Sequence, residues 1–209
     1  MTELETLEKE LQEAEDRLGL MTPVLKGVLT DYGVENAIKM QQVWGGHGYV
    51  RDNGMEQIVR DARIAMIYEG TNSVQALDLV GRKLPKNMGR GITKFLKDSQ
   101  DTLNYGYSKE NINPIVQPVA QALDELNQAT RYLVENIFKP NNAGSASYDY
   151  MKMMGLVMLG LAHIKIAAKT DDKTRHDNAK YFVERILPET SFLLKRIRQG
   201  SGTMMGAEF

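Results

Sequence analysis

From end to end, apolar residues in this chain recur at intervals of three and four, and no stretch alternates convincingly by twos. The first spacing puts residues on one face of an α-helix, whereas a half-buried strand needs strict alternation. The pattern therefore predicts an all-α fold. Leu4, Leu7, Leu11, Ala14 and Leu18 make one apolar stripe, with Glu and Lys on the opposite face. The run is short for an independent coiled coil, so it reads as a helix that needs a partner. Gly19 is expected to end it. Thr22-Pro23 is expected to start the next helix, with Thr at N-cap and Pro at N1. That helix would run to about Trp44, weakened in its middle at Gly33 by roughly 1 kcal/mol relative to alanine.

Gly45-Gly46-His47-Gly48 stops this second helix, and a loop follows to Gly54. Met55 to Ala62 reads as a short helix and Arg63 to Tyr68 as an irregular connector. Thr71 or Asn72 caps another helix, with Val74, Leu77, Leu79 and Val80 as its expected buried positions and Pro85 closing it. Pro85 to Gly91 is polar, basic and carries Pro and Gly, and so marks a boundary between units 1–87 and 88–209. Beyond it, helices are expected over 91–105, 114–138 and 148–169, with Asn141 to Ser147 as a polar loop. Met151, Met154, Met158, Leu161 and Ile164 form the inner face of the third. A last helix starts near Thr174 and is kinked or split at Pro188, and Gly200 to Gly206 is a flexible tail. The chain has 12 methionines, and Met more often fills gaps between helices than lines a binding groove.

Composition removes several classes of function. A net charge of −1 gives no global pull towards nucleic acid or anionic lipid. The absence of cysteine excludes disulfides and thiolate metal sites and fits a cytoplasmic location. The polar, acidic N-terminus shows no signal peptide. Met151 to Ala168 is interrupted by Lys152, His163 and Lys165, which makes it a poor membrane span. His47, His163 and His176 have no metal-ligand spacing, and His163 reads as a satisfied core histidine. Lys83, Lys86, Arg90, Lys94 and Lys97 read as a solvated basic face.

Chemistry concentrates between Gln42 and Gln75. Glu69 follows the apolar run Ile64, Ala65, Met66, Ile67, Tyr68 and precedes Gly70. A carboxylate brought onto a turn by an apolar segment can act as a general base if it is kept dry, and Ile64, Met66 and Ile67 are expected to wall it off. Taken alone, Glu69 would be an ordinary carboxylate preceding a helix. Gly70 permits close approach of a ligand. Arg60, Asp61 and Arg63 are expected to link the connector to the bundle through modest ion pairs. The turn at Gly45–Gly48 offers backbone N–H groups with no β-carbon in the way. It is not a dinucleotide fingerprint, because no strand precedes it and the spacing is wrong.

Three elements stand here in order: Gln42 with Gly45, Gly46, Gly48 and Tyr49; then Arg60-Asp61-Ala62; then Tyr68-Glu69-Gly70-Thr71. Together they resemble the C-terminal part of the acyl-CoA dehydrogenases. From about Met88 onward the chain looks like the extra helical domain of a longer-chain subgroup, on general pattern and on Leu187-Pro188-Glu189-Thr190 and Gly206-Ala207-Glu208-Phe209. The resemblance implies that residues 1–87 are the last part of a helical bundle, which in the family follows an N-terminal helical domain and a β-domain. It implies that Glu69 removes the pro-R α-proton of an acyl-CoA thioester while a β-hydride passes to flavin N5. Tyr68 and Gly70 would then adjoin substrate, and Thr71, Asn72 and Ser73 would border the flavin. Serine at 73 is shorter than the glutamine or glutamate often found there. Gln42, Val43, Trp44, Gly45 and Gly46 would meet the ADP part of FAD bound mainly to a neighbouring subunit. The whole enzyme would yield a trans-2-enoyl-CoA, pass electrons to an electron-transfer flavoprotein and form a homo-oligomer. The isolated chain, without the β-domain, is expected to be inactive and not to retain FAD. An acyl-CoA oxidase or a non-enzymatic helical interaction module are the alternatives. The charge argues against a DNA-binding relative.

Overall fold

A computed structural model describes residues 3–207. The last two positions of the Gly206–Phe209 stretch lie outside the described residues. The helices are α1 (Glu3–Trp44), α2 (Gly46–Tyr49), α3 (Met55–Ile64), α4 (Asn72–Asp78), α5 (Arg90–Tyr107), α6 (Asn113–Glu135), α7 (Pro140–Ala167), α8 (Lys173–Arg185), α9 (Glu189–Ile197) and α10 (Gly202–Met205). Among the described residues there is no strand, and the fold is all-α.

The expected break at Gly19 to Pro23 is absent: both residues lie inside α1, a continuous helix of 42 residues. A proline in a helix interior deletes one backbone bond and costs about 3 kcal/mol. Packing offsets that cost here, because Leu20, Pro23, Val24 and Val28 are all buried. The Thr22 hydroxyl also donates to the Leu18 carbonyl one turn back, at 2.7 Å. Residues 141–147, expected as a loop, form the first turns of α7 behind Pro140 at N1. Their polarity is used in tertiary bonds: Asn142 Oδ1 accepts from the backbone N–H and the hydroxyl of Ser201, at 3.1 and 2.7 Å. The chain does split at Pro188, between α8 and α9. Part of the Gly200–Gly206 tail is helical, as α10. Between α4 and α5, Asn87 and Met88 take left-handed backbone angles (φ 51° and 56°) in a tight turn.

α7 is the central helix. Tyr150, Met151, Met153, Met154, Leu156 and Ile164 are fully buried on it, and the methionines fill the core. One continuous core joins Leu20, Val24 and Val28 of α1 and Leu79 after α4 to residues of α5, α6, α7, α8 and α9, across residue 87. By length and composition α7 passes for a membrane span, but 61% of its most apolar window is buried. Lys152–Glu189 (2.6 Å) and Arg196–Asp149 (2.8 Å) tie α9 to α7. His163 is only partly buried, not a core residue; its ring lies 4.8 Å from that of Phe182. The basic run is partly paired, through Arg90 with Asp16 and Lys94 with Asp98. Leu4, Leu7, Leu11 and Leu18 are more than half exposed, so the stripe on α1 has no cover among the described residues.

Candidate active site

Glu69 lies in the turn between α3 and α4. Glu69 and Gly70 are both left-handed, with φ of 56° and 85°. Glycine adopts that conformation freely, but for a residue with a β-carbon it costs roughly 1–2 kcal/mol. The surrounding bonds hold it. The Asn72 N–H donates to the Met66 carbonyl at 3.2 Å, and the Gln75 amide donates to the Glu69 carbonyl at 2.9 Å. From α1, the Lys26 ammonium donates to the carbonyls of Met66 (3.3 Å) and Gly70 (2.8 Å) and to Asn72 Oδ1 (2.7 Å). Asn72 is 4% exposed. Its Nδ2 lies 3.0 Å from the Gly27 carbonyl and 2.7 Å from Asp31 Oδ1. The other Asp31 oxygen accepts from the Tyr148 hydroxyl at 2.5 Å.

The apolar enclosure expected around Glu69 is not formed by this chain. Glu69 is exposed, and Ile64, Ile67 and Tyr68 are each about half exposed. These side chains face outward because no element among the described residues packs over the turn. Arg60 and Asp61 do not link the connector to the bundle either. Their partners are Glu56 and Gln57 within α3, at 2.8 and 2.6 Å, while Arg63 reaches Met66 Sδ at 3.0 Å. Thr71 is the N-cap of α4 and accepts from the Val74 N–H at 3.4 Å. Thr71 and Ser73 are exposed, whereas the Asn72 side chain is spent inside the protein. Val74 and Leu77, expected to be buried, are about half exposed; Leu79 and Val80 are buried.

The glycine turn is a separate surface. Gly45 has φ 59° and ψ −146°, a backbone state essentially restricted to glycine. A β-carbon added at Gly45 or Gly46 would meet no heavy atom within 4 Å, so this face is open to an incoming group. At Gly48 it would fall 2.7 Å from the Gln41 carbonyl, so that glycine serves packing. Gln42, Val43 and Trp44 are exposed. From Lys26 to Gln42 is sixteen residues, or about 24 Å along α1. The chain therefore does not bring Gln42–Gly46 and Glu69–Ser73 into one pocket. One patch offers the exposed Gln42 amide and a turn without side chains, and the other the exposed hydroxyls of Thr71 and Ser73. A cleft of about 660 Å³ lies between α1, α5 and α7, walled by Leu20, Val24, Val28, Phe95 and Leu161, and no candidate residue lines it. Among the described residues no group of three or more His, Asp or Glu is placed to hold a metal ion.

Lys26, Asp31 and Tyr148 went unnoticed in the sequence. Lys26 meets its loop partners from 40 to 46 residues away, and Tyr148 meets Asp31 from 117. Local periodicity carries no signal for such pairs.

Two family profiles match the chain. One, described as "Acyl-CoA dehydrogenase, C-terminal domain", covers residues 4–84, and the other, "Acetyl-CoA dehydrogenase C-terminal like", covers residues 90–208. The chain is similar to the 3-methylmercaptopropionyl-CoA dehydrogenase of Ruegeria pomeroyi, at 29% identity over 93% of this chain and 35% of that protein. It is also similar to a broad-specificity linear acyl-CoA dehydrogenase of Mycobacterium tuberculosis, at 25% over 81% of this chain and 31% of that protein. The butyryl-CoA dehydrogenase of Syntrophomonas wolfei is 31% identical over 45% of this chain and 15% of that protein. The chain thus spans about a third of the length of the first two relatives.

Proposed function

This chain belongs to the acyl-CoA dehydrogenase family, corresponding to its C-terminal portion, and from that premise we propose that it carries the general base for FAD-dependent α,β-dehydrogenation of an acyl-CoA. The observation that supports this most is the Glu69 carboxylate, exposed on a left-handed backbone whose neighbours are clamped on both sides. A general base must sit within hydrogen-bond reach of the proton it takes, and a clamped backbone limits where its carboxylate can be. Glu69 accepts the α-proton of the thioester as the Cα–Cβ double bond forms and a hydride leaves Cβ. Bound flavin supplies the two-electron acceptor for that hydride. Gly70 leaves room beside the acyl group. Ile64, Ile67 and Tyr68 form one apolar wall of the pocket, and the rest of the enzyme closes it and excludes water. Thr71 and Ser73 would hydrogen-bond the flavin edge, whereas the side chain and the backbone N–H of Asn72 are already engaged inside the protein. Gln42, Val43, Trp44, Gly45 and Gly46 take the dinucleotide end of FAD held by a second subunit, in keeping with the ~24 Å between the two patches along α1. The product is the trans-2-enoyl-CoA, and the electrons pass to an electron-transfer flavoprotein in the cytoplasm.

In the complete flavoenzyme, Glu69→Gln keeps the side-chain shape and removes the base. Turnover falls by about 10²–10⁴-fold, the range of a general-base contribution, while flavin absorbance is retained. Undiminished dehydrogenation in that variant would take Glu69 out of the mechanism. The 209-residue chain alone, mixed with FAD and an acyl-CoA, leaves the flavin oxidised because its pocket is open; bleaching of the flavin would refute this.

A further inference from the structure

We propose that the C-terminal half of the chain, through the Tyr148 hydroxyl, holds the Glu69 turn in its left-handed conformation, so that Tyr148, Asp31, Asn72 and Lys26 are positioning residues for the base. The inference rests on the reading of Glu69 given above. A continuous hydrogen-bond path runs from α7 to the turn: Tyr148 Oη to Asp31 Oδ2 at 2.5 Å, Asp31 Oδ1 to Asn72 Nδ2 at 2.7 Å, Asn72 Oδ1 to Lys26 Nζ at 2.7 Å, and Lys26 Nζ to the Gly70 carbonyl at 2.8 Å. The charges at its two ends set the orientation of the Asn72 amide. Its oxygen faces an ammonium and its NH₂ faces a carboxylate, and the flipped amide would meet both with the wrong sign. In such a chain each bond polarises the next. The far end does not brace a helix. It grips the carbonyls of Met66 and Gly70, on either side of the left-handed Glu69. The Tyr148 hydroxyl is a durable donor, because burial first and the bonded Asp31 second push its pKa well above the usual tyrosine value.

Without the Tyr148 hydroxyl, Asp31 loses a partner and swings more freely, Asn72 Nδ2 keeps only the Gly27 carbonyl and the Thr30 hydroxyl as fixed partners, and the amide aims Lys26 at the turn less firmly. The clamp then yields where the backbone is least favourable, at Glu69. The path links residues 117 apart in sequence, so the placement of the base depends on contact between the two parts of the chain.

The test uses the 209-residue chain. In Tyr148→Phe, amide exchange across residues 67–72 speeds up by about tenfold relative to the helices, as for a local opening. The Asn72 N–H, bonded to the Met66 carbonyl, leads that change. The three-bond HN–Hα coupling of Glu69 moves towards its right-handed value while helical circular dichroism is kept. Lys26→Met, with Tyr148 intact, loosens the same amides at least as much. Tyr150→Phe is the control: it deletes a more deeply buried hydroxyl, bonded to Thr130 at 2.9 Å and off this path. It leaves turn exchange and the Glu69 coupling unchanged relative to the helices. Unchanged turn exchange and coupling in Tyr148→Phe, or equal loosening in Tyr150→Phe, would overturn the proposal. In the complete flavoenzyme, Tyr148→Phe lowers kcat by about tenfold with KM unchanged, as misplacement of a catalytic group does. A loosened turn with unchanged kcat would count against Glu69 as the base and leave the coupling standing.

Discussion

At Gly155 the backbone of α7 lies against α1 so closely that a β-carbon would fall 2.7 and 2.8 Å from the two Val28 methyls. Val28 is β-branched and buried, so it has no easy rotamer to retreat to. At Gly27 the same addition would meet Met151 Cε at 2.5 Å and Sδ at 2.6 Å, the far end of an unbranched, adaptable side chain. The two substitutions therefore differ in outcome. Gly155→Ala destabilises by about 1–3 kcal/mol, the usual cost of overpacking a core. Gly27→Ala is near neutral, because up to about 1 kcal/mol of helix propensity offsets the displacement of Met151. Urea melts of the two variants measure this, and equal destabilisation would contradict the account. Glu69 shows what is and is not legible at this scale. Its identity and its setting between an apolar run and a glycine are plain in the sequence. Its left-handed φ and its exposure follow from Lys26 and from the lack of any cover, neither of which the local sequence encodes.

Between elements, the joint of α1 with the start of α5 carries a buried charge. Asp16 is 8% exposed and bonds Arg90 and Asn87. The Arg90 guanidinium holds the Asp16 carboxyl below the usual carboxylate range, burial opposes this, and the Asn87 amide assists it. Because the folded-state pKa is depressed below the unfolded value of about 3.9, the stabilisation is present above that pH and is lost as pH falls through the folded value. Asp16→Asn therefore lowers the urea midpoint at neutral pH and flattens its decline below about pH 4. A variant with the wild-type acid limb would show that Asp16 contributes no linkage. Helix type was legible along the long apolar-periodic stretches, since a period of three to four is a local property, but not at α2, α10 or the start of α7. Helix ends were less so. The Gly19–Pro23 stop failed because Leu20, Pro23 and Val24 are buried against other helices, and the polar run before Tyr148 became helical because Asn142 found Ser201.

Taken whole, the molecule has one core around α7 and an unfinished surface along α1. Leu4, Leu7, Leu11 and Leu18 lie open along one stripe of α1, and the cleft of about 660 Å³ lies beside its middle turns. Exposed apolar area of this kind drives association. The isolated chain is expected to self-associate in light scattering, and Leu7→Gln with Leu11→Gln to shift it towards monomer. A clean wild-type monomer at high concentration would contradict this. By itself the sequence determined the all-α class, the order of the three motif elements and the residue offered as base, because each is written in local spacing and residue type. Only the tertiary structure decided that Glu69 stands uncovered, that the glycine turn follows the end of a 42-residue helix while the Glu69 turn is gripped from its middle, and that Tyr148 is tied to the Glu69 turn. Burial and long-range hydrogen bonds depend on which helix faces meet, and a helical period fixes a face without naming its partner.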